Sequence, residues 1–285
     1  MKKVLAAALM CAVSSFATWD YFPVQAAGKG EAKVGFGYLI NAGGHEKLSI
    51  IGAEIGVRYS IIEGLEASLG VPFMLSASKD GESCKEEGKT KCPPSYGQPV
   101  IGVRYWFPFG LGIAVDIDLP FQGDAYADFR EDASKGTPLN FRPAIQFSTN
   151  FTPELSVGAE VGLGIYGENS ETKLKEGMDL GIGVEFDYAI GSITPYIGAD
   201  IGLGIGKPQY DGKEDPNGEA AKTAIDVGLG ATFDINENMA ADVGVVLGFG
   251  GRYEHEEIDT SVLPPKTETK SVMPITIQAH FSYKF

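Results

Sequence analysis

Cysteine and histidine are scarce. The 285 residues contain three of each: Cys11, Cys84, Cys92, His45, His255 and His280. Cys84 and Cys92 have no histidine near them, and two thiols alone do not make a zinc cage. Basic residues are outnumbered, 23 Lys and Arg against 38 Asp and Glu, which leaves a formal net charge of -15. That balance excludes the basic surface a nucleic-acid-binding protein needs. After Ala17 no segment has the unbroken apolar run of a membrane helix. A chain that crosses a membrane without such helices must do so as a closed barrel, since every backbone polar group needs an internal partner in lipid.

The chain opens with Lys2 and Lys3, then an apolar run from Val4, and small residues follow at Ala26 and Ala27. This is the pattern of a secretory signal, and the run is too short and alanine-rich for an anchor. We expect a signal peptide over 1–26 and a single barrel domain over 27–285. Export removes Cys11 and places Cys84 and Cys92 in an oxidising space, where a disulfide between them is expected.

The dominant pattern is alternation. The last stretch runs Ile275, Ile277, Ala279, Phe281, Tyr283, Phe285, with Thr276, Gln278, His280, Ser282 and Lys284 between. That is a strand with one apolar and one polar face, continuing to the chain end. The same period-2 pattern recurs over 32–40, 51–59, 65–73, 101–107, 111–121, 139–147, 155–165, 178–188, 193–205, 224–235 and 239–249. The connectors alternate between short ones, such as Pro108–Gly110, and long polar ones, such as 206–222. Antiparallel neighbours joined short on one side and long on the other predict an all-β fold: a transmembrane antiparallel β-barrel of about 12 strands in up-and-down meander order. A soluble sandwich also alternates. Two features favour the membrane. Aromatic residues cluster near both ends of the apolar faces, as two lipid interfaces require. The chain also carries an export signal.

In these respects the chain resembles the Gram-negative outer-membrane β-barrel proteins, in particular their porin-like members. In that class the final strand ends on an aromatic residue after alternating apolar ones, and the barrel assembly machinery reads that segment. Phe281, Tyr283 and Phe285 occupy the matching positions. The resemblance implies export through the periplasm to the outer membrane of a Gram-negative-type bacterium, with outer-membrane lipid, lipopolysaccharide and the assembly machinery as partners.

The inward face is rich in glycine and charge. Its glycines suggest a water-filled interior, because twelve strands enclose more space than eight, whose side chains just fill it. Arg58 with Glu66, Arg104 with Asp116, and Arg142 with Glu160 are expected as structural ion pairs. Asp179, Glu185, Asp187, Asp200, Asp226, Asp234 and Asp242 form an acidic wall with no Arg or Lys among them. Such a wall concentrates cations and repels anions. Asp116 with Asp118, and Glu185 with Asp187, supply too few oxygens for a calcium site, so we expect no metal and no cofactor. His280 and Ser282 share a strand face, as nucleophilic catalysis requires, but that face is the inward one and no orienting acid is specified by spacing. We expect no catalytic residue. Two readings follow: a passive, cation-preferring porin for ions or small polar solutes, and a structural or surface-interaction barrel with a closed lumen.

Overall fold

A computed structural model of the protein describes residues 21–42, 48–79, 82–83, 93–126, 136–215, 218–251, 254–259 and 266–285. Cys84, Cys92, His45 and residues 1–20 of the expected signal peptide lie outside the described residues. Twelve long strands build one closed antiparallel barrel: β1 (Gly30–Ala42), β2 (Leu48–Ile62), β3 (Leu65–Lys79), β4 (Val100–Trp106), β5 (Leu111–Asp118), β6 (Asn140–Asn150), β7 (Leu155–Gly164), β8 (Asp179–Tyr188), β9 (Ile193–Gly204), β10 (Ala224–Asn236), β11 (Met239–Phe249) and β12 (Met273–Lys284). Each pairs with its sequence neighbours, and β1 pairs with β12 from Glu31 opposite Lys284 to Ala42 opposite Met273. Gly30 and Phe285 complete the seam by exchanging two backbone hydrogen bonds of 2.9 Å each. The sheet closes on itself through this seam, which removes the open first and last edges that a flat sheet would leave.

Alternation sets the two faces. On β1, Ala32, Phe36 and Tyr38 are exposed to the surroundings, whereas Glu31, Lys33, Gly35, Gly37 and Leu39 are buried inward. Short turns join strands at the rim where the barrel begins and ends. Gly64 and Gly110 make two of them, with φ of 78° and 85°, which side-chain-bearing residues rarely adopt. Around this short-turn rim, Tyr59, Phe151, Tyr188, Phe233, Tyr283 and Phe285 point outward and are exposed. Phe107 stacks on Phe109, with ring centroids 5.3 Å apart. Phe36, Tyr38, Phe121 and Phe249 form the corresponding belt toward the long-connector rim. Among the described residues no helix is long and apolar enough to cross a membrane; the outward faces of the strands supply the apolar band instead.

Several strands end elsewhere than their patterns predict, β3 and β5 among them. The alternation of β3 was expected to stop at Phe73, yet the strand runs to Lys79. Its pairing with β2 steps from Gly52–Met74 to Ile51–Ser76, leaving Leu75 as an extra residue. This bulge keeps Met74 and Ala77 both on the inner face. The pattern of β5 continues to Phe121, but pairing stops at Asp118. The following segment turns inward through a single helical turn at Asp124–Tyr126.

Candidate functional site in the barrel lumen

At the short-turn end the lumen is filled with a polar layer. Glu31 lies directly across from Arg58, and Glu66 directly across from Arg104. Arg58 Nη2 contacts Glu31 Oε2 at 2.5 Å, and Arg104 Nη2 contacts Glu66 Oε1 at 2.5 Å. The expected Arg58–Glu66 pair is secondary, at 3.9 Å from Nε to Oε2. The β2–β3 register sets Ser60, not Arg58, opposite Glu66, so Arg58 reaches it only diagonally. Asp116 is diagonal to Arg104 as expected, while directly across β5–β6 it faces Arg142. Arg142 Nη2 contacts Asp118 Oδ1 at 2.8 Å. Glu160 faces Gln146, not Arg142, and accepts a 2.7 Å hydrogen bond from Gln146 Nε2. These corrections share one cause. The turn lengths set the stagger between strands, and a shift of two residues exchanges one partner for another on the same face.

The acidic wall lies inward on β8 to β11, except at Asp234, which is exposed at the short-turn rim. Its charges are moderated by partners that were not expected. Asp242 takes three contacts: the Tyr196 hydroxyl donates to Oδ1 at 3.2 Å, the Thr232 hydroxyl donates to Oδ2 at 3.3 Å, and His280 Nδ1 lies 3.2 Å from Oδ1. His280 is therefore bound into the wall by an acid and is buried, while Ser282, two residues on, lies partly exposed toward the rim. Asp179 accepts from the Tyr166 hydroxyl at 2.8 Å. Asp200 and Asp226 are directly opposed across β9 and β10. Glu185 is fully buried and sits between Gly158 and Gly198 of the flanking strands. Among the described residues no three His, Cys, Asp or Glu side chains converge as a metal site would need.

The inward glycines were expected to border water, but many are seats for rings. Tyr196 crosses to β10 and β11, and a Cβ on Gly244 would lie 2.5 Å from its hydroxyl oxygen. The Trp106 ring lies as close to Gly112, and the His280 ring covers Gly35. A glycine without a side chain lets a large neighbour lie flat against the sheet. Other inward glycines border local open space. A Cβ on Gly70 would meet nothing within 4 Å, and one on Gly181 would meet only the Gly162 carbonyl oxygen, at 3.9 Å.

Two inward features lay outside the alternating pattern. First, Tyr21 and the strandless segment ahead of β1 enter the lumen. The Tyr21 ring lies against Gly183 and its Cβ and carbonyl against Gly158, and its hydroxyl donates to Asp200 Oδ1. Gln25 Nε2 donates to Glu31 at 2.8 Å, and Gly28 N donates to the Ser60 carbonyl at 2.8 Å. Second, Leu39, Leu48, Ile50, Met74 and Ala77 form an apolar inner wall toward the long-connector rim, and Tyr126 of the inward-turned connector packs against it. The Tyr126 backbone N–H donates to Ser95 Oγ at 3.1 Å, fixing the turn against the chain before β4.

With this geometry in place, the chain can be set beside known proteins. An outer membrane channel from Pseudomonas putida F1 superposes with a TM-score of 0.69 at 12% identity, over 95% of this chain and 100% of that one. The KdgM porin gives a TM-score of 0.49 at 11% identity, over 89% of this chain and 99% of that one. The CymD monoaromatic hydrocarbon channel gives 0.49 at 9% identity, over 92% and 89%. No curated protein matches the chain. The family described as "Putative MetA-pathway of phenol degradation" matches residues 25–255, most of the barrel, and the chain belongs to that family as a porin-like outer-membrane β-barrel.

Proposed function

We propose that the protein is a passive channel for ions and small polar solutes, with a preference for cations. The observation that carries this reading is the open space over Gly70 on one side of the lumen and over Gly181, which is diagonal to Asp200 and so near the opposed carboxylates of Asp200 and Asp226. Water fills a polar space of this kind, and fixed carboxylates in a low-dielectric wall raise the local cation concentration. Purified protein in a planar bilayer is expected to open a small cation-preferring channel. The preference should weaken from 0.1 M to 1 M salt, as the screening length falls from about 10 Å to about 3 Å. Replacing Asp200 and Asp226 together by Asn should lower selectivity more than Asp116→Asn, because Asp116 has Arg142 directly across from it. Anion preference would overturn the charge argument.

The second reading, a barrel with a closed lumen that acts through its outer loops, is supported by Tyr21 standing in the lumen. A correctly folded barrel that shows no conductance would favour it.

A further inference from the structure

His280 is the one histidine of the twelve barrel strands. It stands in a row of directly opposed positions that runs across the seam: Thr232 on β10, Asp242 on β11, His280 on β12, Gly35 on β1 and Glu54 on β2. The Nδ1 edge of the imidazole turns to Asp242, 3.2 Å from Oδ1, and the Nε2 edge lies over Gly35, where a Cβ would stand 2.8 Å from Nε2. The bare backbone of Gly35 gives the imidazole this place, and the next inward position beyond it is Glu54. A carboxylate only accepts hydrogen bonds. Asp242 already accepts from the Tyr196 and Thr232 hydroxyls, so the contact at Nδ1 is a donated one. Nε2 is then the nitrogen that gains a second proton.

The charges around this imidazole are mostly acidic. Asp242 faces it from β11 and Glu54 from β2, while Arg58, also on β2, is held by Glu31 of β1. Lys33 on β1 stands directly across from Ser282, and Lys284 on β12 is exposed at the rim. Beyond Tyr196, Glu185 and Asp187 point inward from β8. A proton at Nε2 therefore places a cation between Asp242 and Glu54.

We propose that His280 is the reversible charge of the lumen wall, and that its protonation lowers the channel's preference for cations. The inference deepens the channel reading and rests on it for the ions that sense the charge. As pH falls, His280 adds one positive charge to the wall, and cations are held less strongly. As pH rises, the charge is lost and the full acidic wall returns. One unit charge acting through water over roughly 8 Å changes the local concentration of a monovalent ion about twofold, and anions respond oppositely, so the cation-to-anion permeability ratio should change about fourfold.

Reversal potentials in a KCl gradient give that ratio from about pH 4.5 to about pH 8.5, which spans histidine in folded proteins. Heat-modified electrophoretic mobility reports folding of each variant. Nitrogen-15 NMR of labelled histidine follows the imidazole itself. His45 and His255 lie in long connectors, and replacing each by Gln assigns the remaining signal to His280. The wild-type ratio is expected to fall with falling pH at the midpoint of the NMR titration, and neutral His280 should show the Nδ1–H tautomer. His280→Gln should lose that step and keep only the change that the carboxylates cause. The NMR midpoint should also move between about 0.1 M and about 1 M KCl, because ions in the lumen screen the wall; this readout needs no current. An unchanged pH profile in folded His280→Gln would overturn the proposal. So would an imidazole that does not titrate across the range, or a midpoint that salt leaves fixed. The Nε2–H tautomer would overturn the assignment of the proton-accepting nitrogen. A salt-sensitive titration in a folded barrel that carries no current would overturn the channel reading and leave the reversible charge standing.

Discussion

Glu66 holds the polar layer together at the scale of single residues. It is 1% exposed and receives Arg104 directly and Arg58 at longer range. Removing one partner of a buried ion pair strands the other charge away from water, which costs about 3–5 kcal/mol. Glu66→Ala is therefore expected to destabilise the barrel by that amount in urea unfolding from lipid vesicles. Arg142→Ala is the contrast. The Arg142 side chain is 42% exposed, so its pair with Asp118 is largely screened and is worth about 0–1 kcal/mol. Equal costs for the two variants would show that burial does not set the strength of these pairs. The pairs themselves were only partly legible. Residue type and face can be read from period-2 spacing, so Arg58, Glu66, Arg104 and Arg142 were identified as inward charges. Glu31 and Asp118 were left out of the expected pairs, because partner choice depends on register across neighbouring strands.

At the scale of elements, the segment 21–29 and the connector after β5 alter the picture most. A cut at Ala26 would remove Tyr21 from the mature protein. A cut after Ala17, where Ser15 and Ala17 also supply the small residues that a cleavage site needs, would keep it. Mass spectrometry of the mature protein separates the two: a start at Ala27 is the expectation from a signal peptide over 1–26 and removes Tyr21 from the lumen, whereas a start at Thr18 would overturn it and retain Tyr21. Neither segment carries a periodic signal, because neither is a strand. Tyr126 has no regular neighbour in sequence, and only the inner apolar wall of β1 to β3 gives it a place to pack. The connector holding Cys84 and Cys92 remains a matter of sequence. Non-reducing peptide mapping should link the two cysteines, and closing so short a loop is worth about 2–3 kcal/mol, acting mostly on the connector. Two free thiols would remove the claim.

At the scale of the whole molecule, the barrel has two unlike ends, and its orientation can be tested. If the long connectors face outward, a tag inserted over 213–220 should be reachable on intact cells, while a tag at Glu237–Asn238 should be silent until the outer membrane is opened. Labelling of the second tag alone would invert the orientation. Phe281, Tyr283 and Phe285 lie on the outward face of β12 at the short-turn rim, exposed by 37%, 47% and 51%. If they form an assembly signal, deleting Phe285 should lower the folded yield more than Ser282→Ala does. Phe285 also exchanges two backbone hydrogen bonds with Gly30 at the seam, so Phe285→Ala, which keeps those bonds, separates recognition of the ring from closure. A full yield from Phe285→Ala alongside a loss from the deletion would assign the effect to closure.

Period-2 alternation, paired with short and long connectors, by itself determined a closed antiparallel barrel of about twelve strands with a lipid face and a lumen face. That information is local, since each residue's face follows from its parity along the strand, and a barrel is the closed solution that leaves no backbone group unpaired in lipid. What fills the lumen was decided only by tertiary structure. The stagger between strands chose Arg104 for Glu66 and Gln146 for Glu160. The bulge at Leu75 kept Ala77 facing inward. Glycines that alternation alone left bordering water became seats for Tyr196, Trp106, His280 and Tyr21, because a ring anchored on one element reaches the bare backbone of another only once the barrel has closed.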